Sequence, residues 1–315
     1  MHTKLSEYWE QKRFVICLPQ MTKYQTMKKR KATQVVRGQR AMDGAGVKLT
    51  RVLGTATIDA FDPFLMLDGF DSTNPDDYIK GFPWHPHRGI ETVTYLVSGE
   101  MEHGDSLGNR GVISDLGCQW MTAGSGIIHQ EMPIASPRML GCQLWVNLPA
   151  KDKMVEPSYG DIIAKDVPLV REAGAEVRVV ADSYKGTKGA FDGKYVKVKY
   201  LDVKLEPFTE WLYDETPNDE TLFIYLIDGT LAPDIAKEKF ESKGCAILFE
   251  SAEKNSLSND IIHIKAGDLG ARFVLLAAKP LREPVAWGGP IVMNTQEELN
   301  KAFEELRNDN FIKHK

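Results

Sequence analysis

Cysteine is scarce and scattered. Cys17, Cys118, Cys142 and Cys245 form no Cys-x-x-Cys pair in 315 residues. That spacing argues against a disulfide framework and a thiolate metal cluster, and it favours a reducing, cytoplasmic compartment. Long hydrophobic runs are also missing. Nothing approaches the roughly 18 consecutive apolar residues of a membrane-spanning helix, and the start of the chain carries charges throughout, without the apolar centre of a signal peptide. Net charge is small, -5, which gives no electrostatic basis for direct binding to nucleic acid or to anionic membranes. Helical periodicity is lacking over most of the chain, which points away from helical bundles and α/β folds.

What is present is ordinary globular material, 43% hydrophobic and 26% charged, in a chain long enough for about two domains. Residues 1–33 read as a basic N-terminal extension. Seven Lys or Arg and no acid lie between Lys23 and Arg40, and Lys28-Lys29-Arg30-Lys31 would serve as a nuclear localisation signal in a eukaryotic source, although charge runs are as a rule solvated arms. Residues 34–150 and 151–315 read as two strand-rich domains. Glu91–Val97, Gly111–Ile113 and Gln143–Val146 are strand-like in the first, and Lys194–Val203, Thr221–Ile227 and Ala271–Ala277 in the second. The polar stretch from Pro149 to Gly160 is read as the connection. Near the C-terminus, Asn294–Arg307 places Leu299, Ala302, Phe303 and Leu306 on one stripe, an amphipathic helix expected to pack on a barrel. The fold class expected is all-β: two antiparallel barrels with a C-terminal α-helix.

Three of the seven histidines fall in two motifs, Trp84-His85-Pro86-His87 and His129-Gln130-Glu131. Residues two apart on a strand face the same side, so His85 pairs with His87 and His129 with Glu131. On neighbouring strands all four side chains can enter one cavity, and imidazole with carboxylate suits iron, nickel, copper, zinc or manganese. A His-x-His alone is often just a surface pair; the two motifs together, with Trp84, Trp120 and Met121 as an apolar wall, suggest a small-molecule metal pocket. Glu91, four residues beyond His87, is a second candidate carboxylate, and spacing does not choose between Glu91 and Glu131. Gly124-Ser125-Gly126 reads as a tight turn rather than a phosphate cradle or a nucleophile elbow.

The stretches Phe61–Asp68, His85-Pro-His-Arg-Gly89, Glu91–Tyr95, Gly99–His103, Gln119–Gly124 and Gly126–Pro133 resemble the pirin family, two-barrel members of the cupin superfamily. Pro280–Val285 and Pro290–Asn294 resemble its C-terminus. Asp115-Leu116-Gly117 departs from the usual Pro-Gly-Asp turn, and residues 1–33 lie outside the likeness. The resemblance implies a bicupin with one divalent ion, iron, on His85, His87, His129 and Glu131. Glu91 then backs the ligands or is structural, and His103 lines the pocket or is structural; the second strand-rich block shows no ligand set in its sequence and is expected to be metal-free. It implies a dioxygenase of the quercetinase type that cleaves flavonols such as quercetin with O2 and releases CO, with Glu131 as general base. The alternative it implies is an iron-binding, redox-sensitive transcriptional co-regulator with a transcription-factor partner and a nuclear location, if the source is eukaryotic. A metal-dependent isomerase or hydrolase is a further reading, and the chain is expected to be a monomer.

Overall fold

The computed structural model describes residues 27–216, 219–250 and 260–314. Residues 1–26, most of the basic extension, therefore lie outside the described residues.

The first barrel is built from two sheets. One holds seven strands in the order Ser158–Ile162, Cys118–Thr122, Ile90–Ser98, Met139–Asn147, Phe64–Ser72, Val47–Leu53 and Gln39–Asp43. The other holds Phe82–His87, Ile127–Ile134, Glu100–Asp105 and Arg110–Ile113. Met139–Asn147 is buried along its whole length, as a central strand covered on both faces must be, while Ile127–Ile134 alternates buried with half-buried residues. The second barrel is a single curled sheet with Thr221–Ala232, Ile262–Ala278 and Val198–Leu205 at its centre. Of the strand expected over Lys194–Val203, only the part from Val198 onward is in the sheet. All pairings within these three sheets are antiparallel.

Two segments cross the boundaries expected from the sequence. Ala32–Arg37 pairs with Cys245–Phe249 in the second barrel, and Ser158–Ile162 pairs with Cys118–Thr122 in the first. The chain from Lys28 to Lys31 is likewise no free arm, because Arg30 is buried against Asp260 and its backbone N–H donates to the Ile261 carbonyl.

The barrels meet across a shared core in which Tyr95, Trp120, Cys142 and Leu144 of the first pack on Tyr200, Phe223, Tyr225 and Val274 of the second. Its polar node is Asp202, which accepts from the Tyr95 hydroxyl (2.6 Å) and from Arg272 Nε (2.9 Å). The interior of the second barrel is apolar, with Val177, Leu201, Trp211, Ile264 and Phe273 among its residues. Among the described residues, no helix is long and apolar enough to cross a membrane.

The amphipathic helix forms at Gln296–Arg307. Thr295 and Glu298 make a reciprocal cap: the Thr295 hydroxyl accepts from the Glu298 N–H (3.2 Å), and Glu298 Oε2 accepts from the Thr295 N–H (3.0 Å). Leu299 and Ala302 are buried against Ile291 and Met293 of the preceding hairpin. That hairpin, Ala286–Gly288 with Ile291–Met293, lies on the first barrel rather than the second, since Val292 joins the core of Leu65, Ile90, Met121 and Trp145.

Candidate metal centre

The histidine motifs lie on the smaller sheet of the first barrel and face the larger one. Ile127–Ile134 runs antiparallel to Phe82–His87 in a register that sets His129 opposite His85 and Ile127 opposite His87. Directly opposed residues share a face, so the three imidazoles converge. Their rings lie 4.3–5.0 Å apart, and their ligand atoms fall within 4.8 Å of one another.

Hydrogen bonds orient two of the rings. His85 Nδ1 donates to the Pro83 carbonyl (2.9 Å), and His87 Nδ1 to the Pro290 carbonyl (3.1 Å). This tautomer leaves Nε2 of each as a lone pair, and the two Nε2 atoms are 3.0 Å apart. Two lone pairs at that distance repel unless a cation stands between them. His129 is buried, and neither of its ring nitrogens has a protein partner. A divalent ion would satisfy all three, so the donor set fits a metal.

Glu131 is buried beside the histidines, with Oε2 4.0 Å from His129 Nε2. It accepts from the Thr94 hydroxyl (2.9 Å) and from Gln143 Nε2 (2.7 Å to Oε2), while Trp145 Nε1 reaches Gln143 Oε1 at 3.4 Å. The carboxylate thus stands at the edge of the triad, held from the opposite sheet. Sequence reasoning missed Thr94, Gln143 and Trp145. The available signal was two polar residues, Thr94 and Gln143, inside strands that are otherwise buried and largely apolar.

Other expected site residues fall elsewhere. Trp84 is 52% exposed, because the alternation that turns His85 inward turns its neighbour outward. Trp120 faces the other barrel, stacked on Phe191 with ring centroids 4.4 Å apart. Glu91 also lies on that far face: it accepts from Trp120 Nε1 (3.1 Å) and the Thr122 hydroxyl (2.7 Å), and burial raises its pKa. It is not a neighbour of the triad, because the turn at Arg88-Gly89 interrupts the strand parity counted from His87. Met121 does share the cavity wall, in one row with Thr92 and Trp145, and the Trp145 ring meets His87 edge-on at 5.0 Å. His103 lies opposite Glu131 in register; its ring shares a hydrogen bond with the Tyr159 hydroxyl, and its Nε2 is 3.4 Å from Asp161 Oδ1. On the second barrel, His263 pairs with Glu210 (3.1 Å).

Burial, reinforced by the neighbouring His85, pulls the His87 pKa down to about 3, and the Pro290 carbonyl offsets this only in part; His129 is lowered in the same direction by burial. An unfolded histidine titrates near 6.5. Between these values the unfolded chain binds a proton that the native chain does not, so stability falls as pH drops from about 6.5 toward 3. The thermal midpoint of the metal-free protein is therefore expected to fall steeply between about pH 6 and 4, with His87 alone accounting for about 2–3 kcal/mol. Thermal melts across that range check this, and a flat profile contradicts it.

Taken together, the two antiparallel barrels and the inward-facing histidine cluster define a bicupin. The chain belongs to the pirin family: the Pirin domain matches residues 46–146, and the Pirin C-terminal cupin domain matches residues 200–312. It is 41% identical over 286 residues to a pirin-like protein of Caulobacter vibrioides, covering 90% of this chain and 99% of that one. To human pirin it is 38% identical over 283 residues, covering 89% of this chain and 93% of the human protein. A crystal structure of quercetin 2,3-dioxygenase from Acinetobacter baumannii superposes with a TM-score of 0.78 at 28% identity, over 90% of this chain and 98% of that one.

Proposed function

We propose that this chain is a metal-dependent dioxygenase that opens flavonols such as quercetin with O2 and releases CO. The observation that carries the reading is the pair of facing Nε2 lone pairs on His85 and His87 beside the unpartnered ring of His129. The structural likeness to a quercetin 2,3-dioxygenase supports the choice of reaction. His85, His87 and His129 would hold the ion, with Glu131 as fourth ligand; iron is the metal of choice, and nickel, copper, zinc and manganese suit the same donors. Once bound, the ion supplies Lewis acidity toward the flavonol 3-hydroxyl and a site for oxygen chemistry.

The chain's own residues do the rest. Glu131 receives the hydroxyl proton, and Thr94 and Gln143 keep its carboxylate aimed at the triad. Trp145 and Met121 supply an apolar wall for a flat aromatic substrate and keep water from the histidines. Stability of the site rests on the two Nδ1–H donations that fix the tautomers.

The test is to load the purified protein with iron and follow quercetin loss together with oxygen uptake. Turnover is expected in the native chain and is expected to vanish in His87→Ala and Glu131→Ala. A fully loaded protein that leaves quercetin intact sinks the dioxygenase and points instead to the iron-binding regulator.

A further inference from the structure

Three consecutive residues of the first barrel grip the C-terminal segment. His87 donates its Nδ1–H to the Pro290 carbonyl at 3.1 Å. Arg88 accepts at its carbonyl from the Val292 N–H (3.1 Å), and its guanidinium is buried. Nε donates to the Ser125 carbonyl (2.7 Å), Nη1 to Glu305 Oε2 (2.7 Å) and Nη2 to the Phe311 carbonyl (2.8 Å), while the Phe311 ring lies 4.2 Å from the guanidinium carbon. Gly89 has φ +76°, and a Cβ there would stand 2.0 Å from the Val292 oxygen, so only glycine lets the segment approach this closely. Lys153 closes the seam, with Nζ donating to the carbonyls of Gly89 (2.8 Å) and Val292 (2.9 Å) and to Asn147 Oδ1 (2.7 Å). On the other side of the His87 ring, Trp145 packs edge-on, and Trp287 backs Trp145 at 5.7 Å.

We infer that the segment Trp287–Phe311 is a working part of the metal centre, held there by Arg88 as a positioning residue, so that metal binding and docking of this segment reinforce each other. The inference rests on the reading of the triad as a metal site. The physical link is the Pro290 carbonyl. It selects the His87 tautomer and fixes the ring, and without it the ring is free to rotate and to carry its proton on the nitrogen that should face the metal. Arg88 supplies the grip: its planar fork is satisfied only when Glu305 and the Phe311 carbonyl are in place, and a buried guanidinium stripped of them is unfavourable. Coupling of this kind is reciprocal. If losing the segment weakens the metal by some factor, metal binding must secure the segment by the same factor. A purely structural clasp would hold the segment equally with or without metal.

The experiment uses the full chain with zinc(II) as a redox-inert probe, titrated against a chromophoric chelator. The native chain is compared with Arg88→Lys, which keeps the charge but loses the fork, and with Glu305→Gln, a change at the half-buried rim, 217 residues away in sequence. Hydrogen exchange across residues 286–312 is followed with and without zinc in each. Both variants are expected to bind zinc about 10–100-fold more weakly, with unchanged far-ultraviolet circular dichroism, and zinc is expected to slow exchange of this segment in the native chain. Faster exchange in the variants at undiminished zinc affinity overturns the inference, as does zinc binding to the native chain that leaves exchange unaltered. A native chain that binds no zinc overturns it together with the metal reading itself.

Discussion

Replacing His87 with alanine is expected to strip the protein of metal and activity, whereas Glu91→Gln is expected to keep both. His87 is the most constrained of the three imidazoles: its Nδ1 is tied to Pro290, its ring lies edge-on to Trp145, and its Nε2 is 3.0 Å from that of His85. Removing it leaves two of the three imidazoles. Loss of an outer-shell partner alone weakens metal binding by about 10–100-fold, and loss of a ligand is expected to cost at least as much. Glu91 faces the other way, toward Trp120 and Thr122. Glutamine there keeps one acceptor oxygen and turns an NH2 group toward existing donors, which costs about 1–3 kcal/mol of stability. The Glu91 variant should therefore melt earlier yet retain its metal, while Glu131→Gln should lose most of it. Metal content per chain, measured after dialysis, decides the matter. Metal loss in Glu91→Gln with retention in Glu131→Gln would reverse the assignment.

The second large effect is expected at Asp202, far from the cavity. Its carboxylate is buried and receives Tyr95 from one barrel and Arg272 from the other. Asp202→Ala leaves a half-buried guanidinium without its partner and a buried phenol without an acceptor. Breaking such a pair by deleting one side costs about 3–5 kcal/mol. Tyr95→Phe removes only the hydroxyl and should cost about 1 kcal/mol. Urea unfolding measures both. A change below about 1 kcal/mol for Asp202→Ala would show that this node adds little to the joint between the barrels.

How much of this was legible in the chain depends on which physical rule governs each residue. Strand alternation pairs His85 with His87, and it is the pairing of the two strands, which alternation does not encode, that adds His129. The same rule, applied one residue further, would have excluded Trp84, which cannot face inward beside His85, and would have forced a choice between Trp120 and its neighbour Met121. Parity left Glu91 open as a candidate because it does not register Arg88-Gly89, where a glycine at φ +76° carries the chain from one sheet into the other. The helix was legible from its stripe, and its cap at Thr295 lies one residue after the expected start. The seat of the C-terminal segment was not. Residues 281–293 have neither strand nor helix periodicity, and their position is set by contacts with Arg88, Gly89 and Lys153, about 200 residues or fewer away along the chain, which no local pattern encodes.

The two ends of the described chain are exchanged between the barrels: Ala32–Arg37 lies in the sheet of the second, and Pro290 and Phe311 lie against the first. This has a consequence for synthesis. The strand that the second barrel needs leaves the ribosome before any of that barrel does, and must wait for Cys245–Phe249 to appear. The carbonyl that orients His87 is made about 200 residues after the histidine itself. The second barrel can close only once its long central strand, Ile262–Ala278, has been made, and the first gains its C-terminal clasp later still. In the proposed metal site, His87 is therefore fully oriented only after Pro290 has been made.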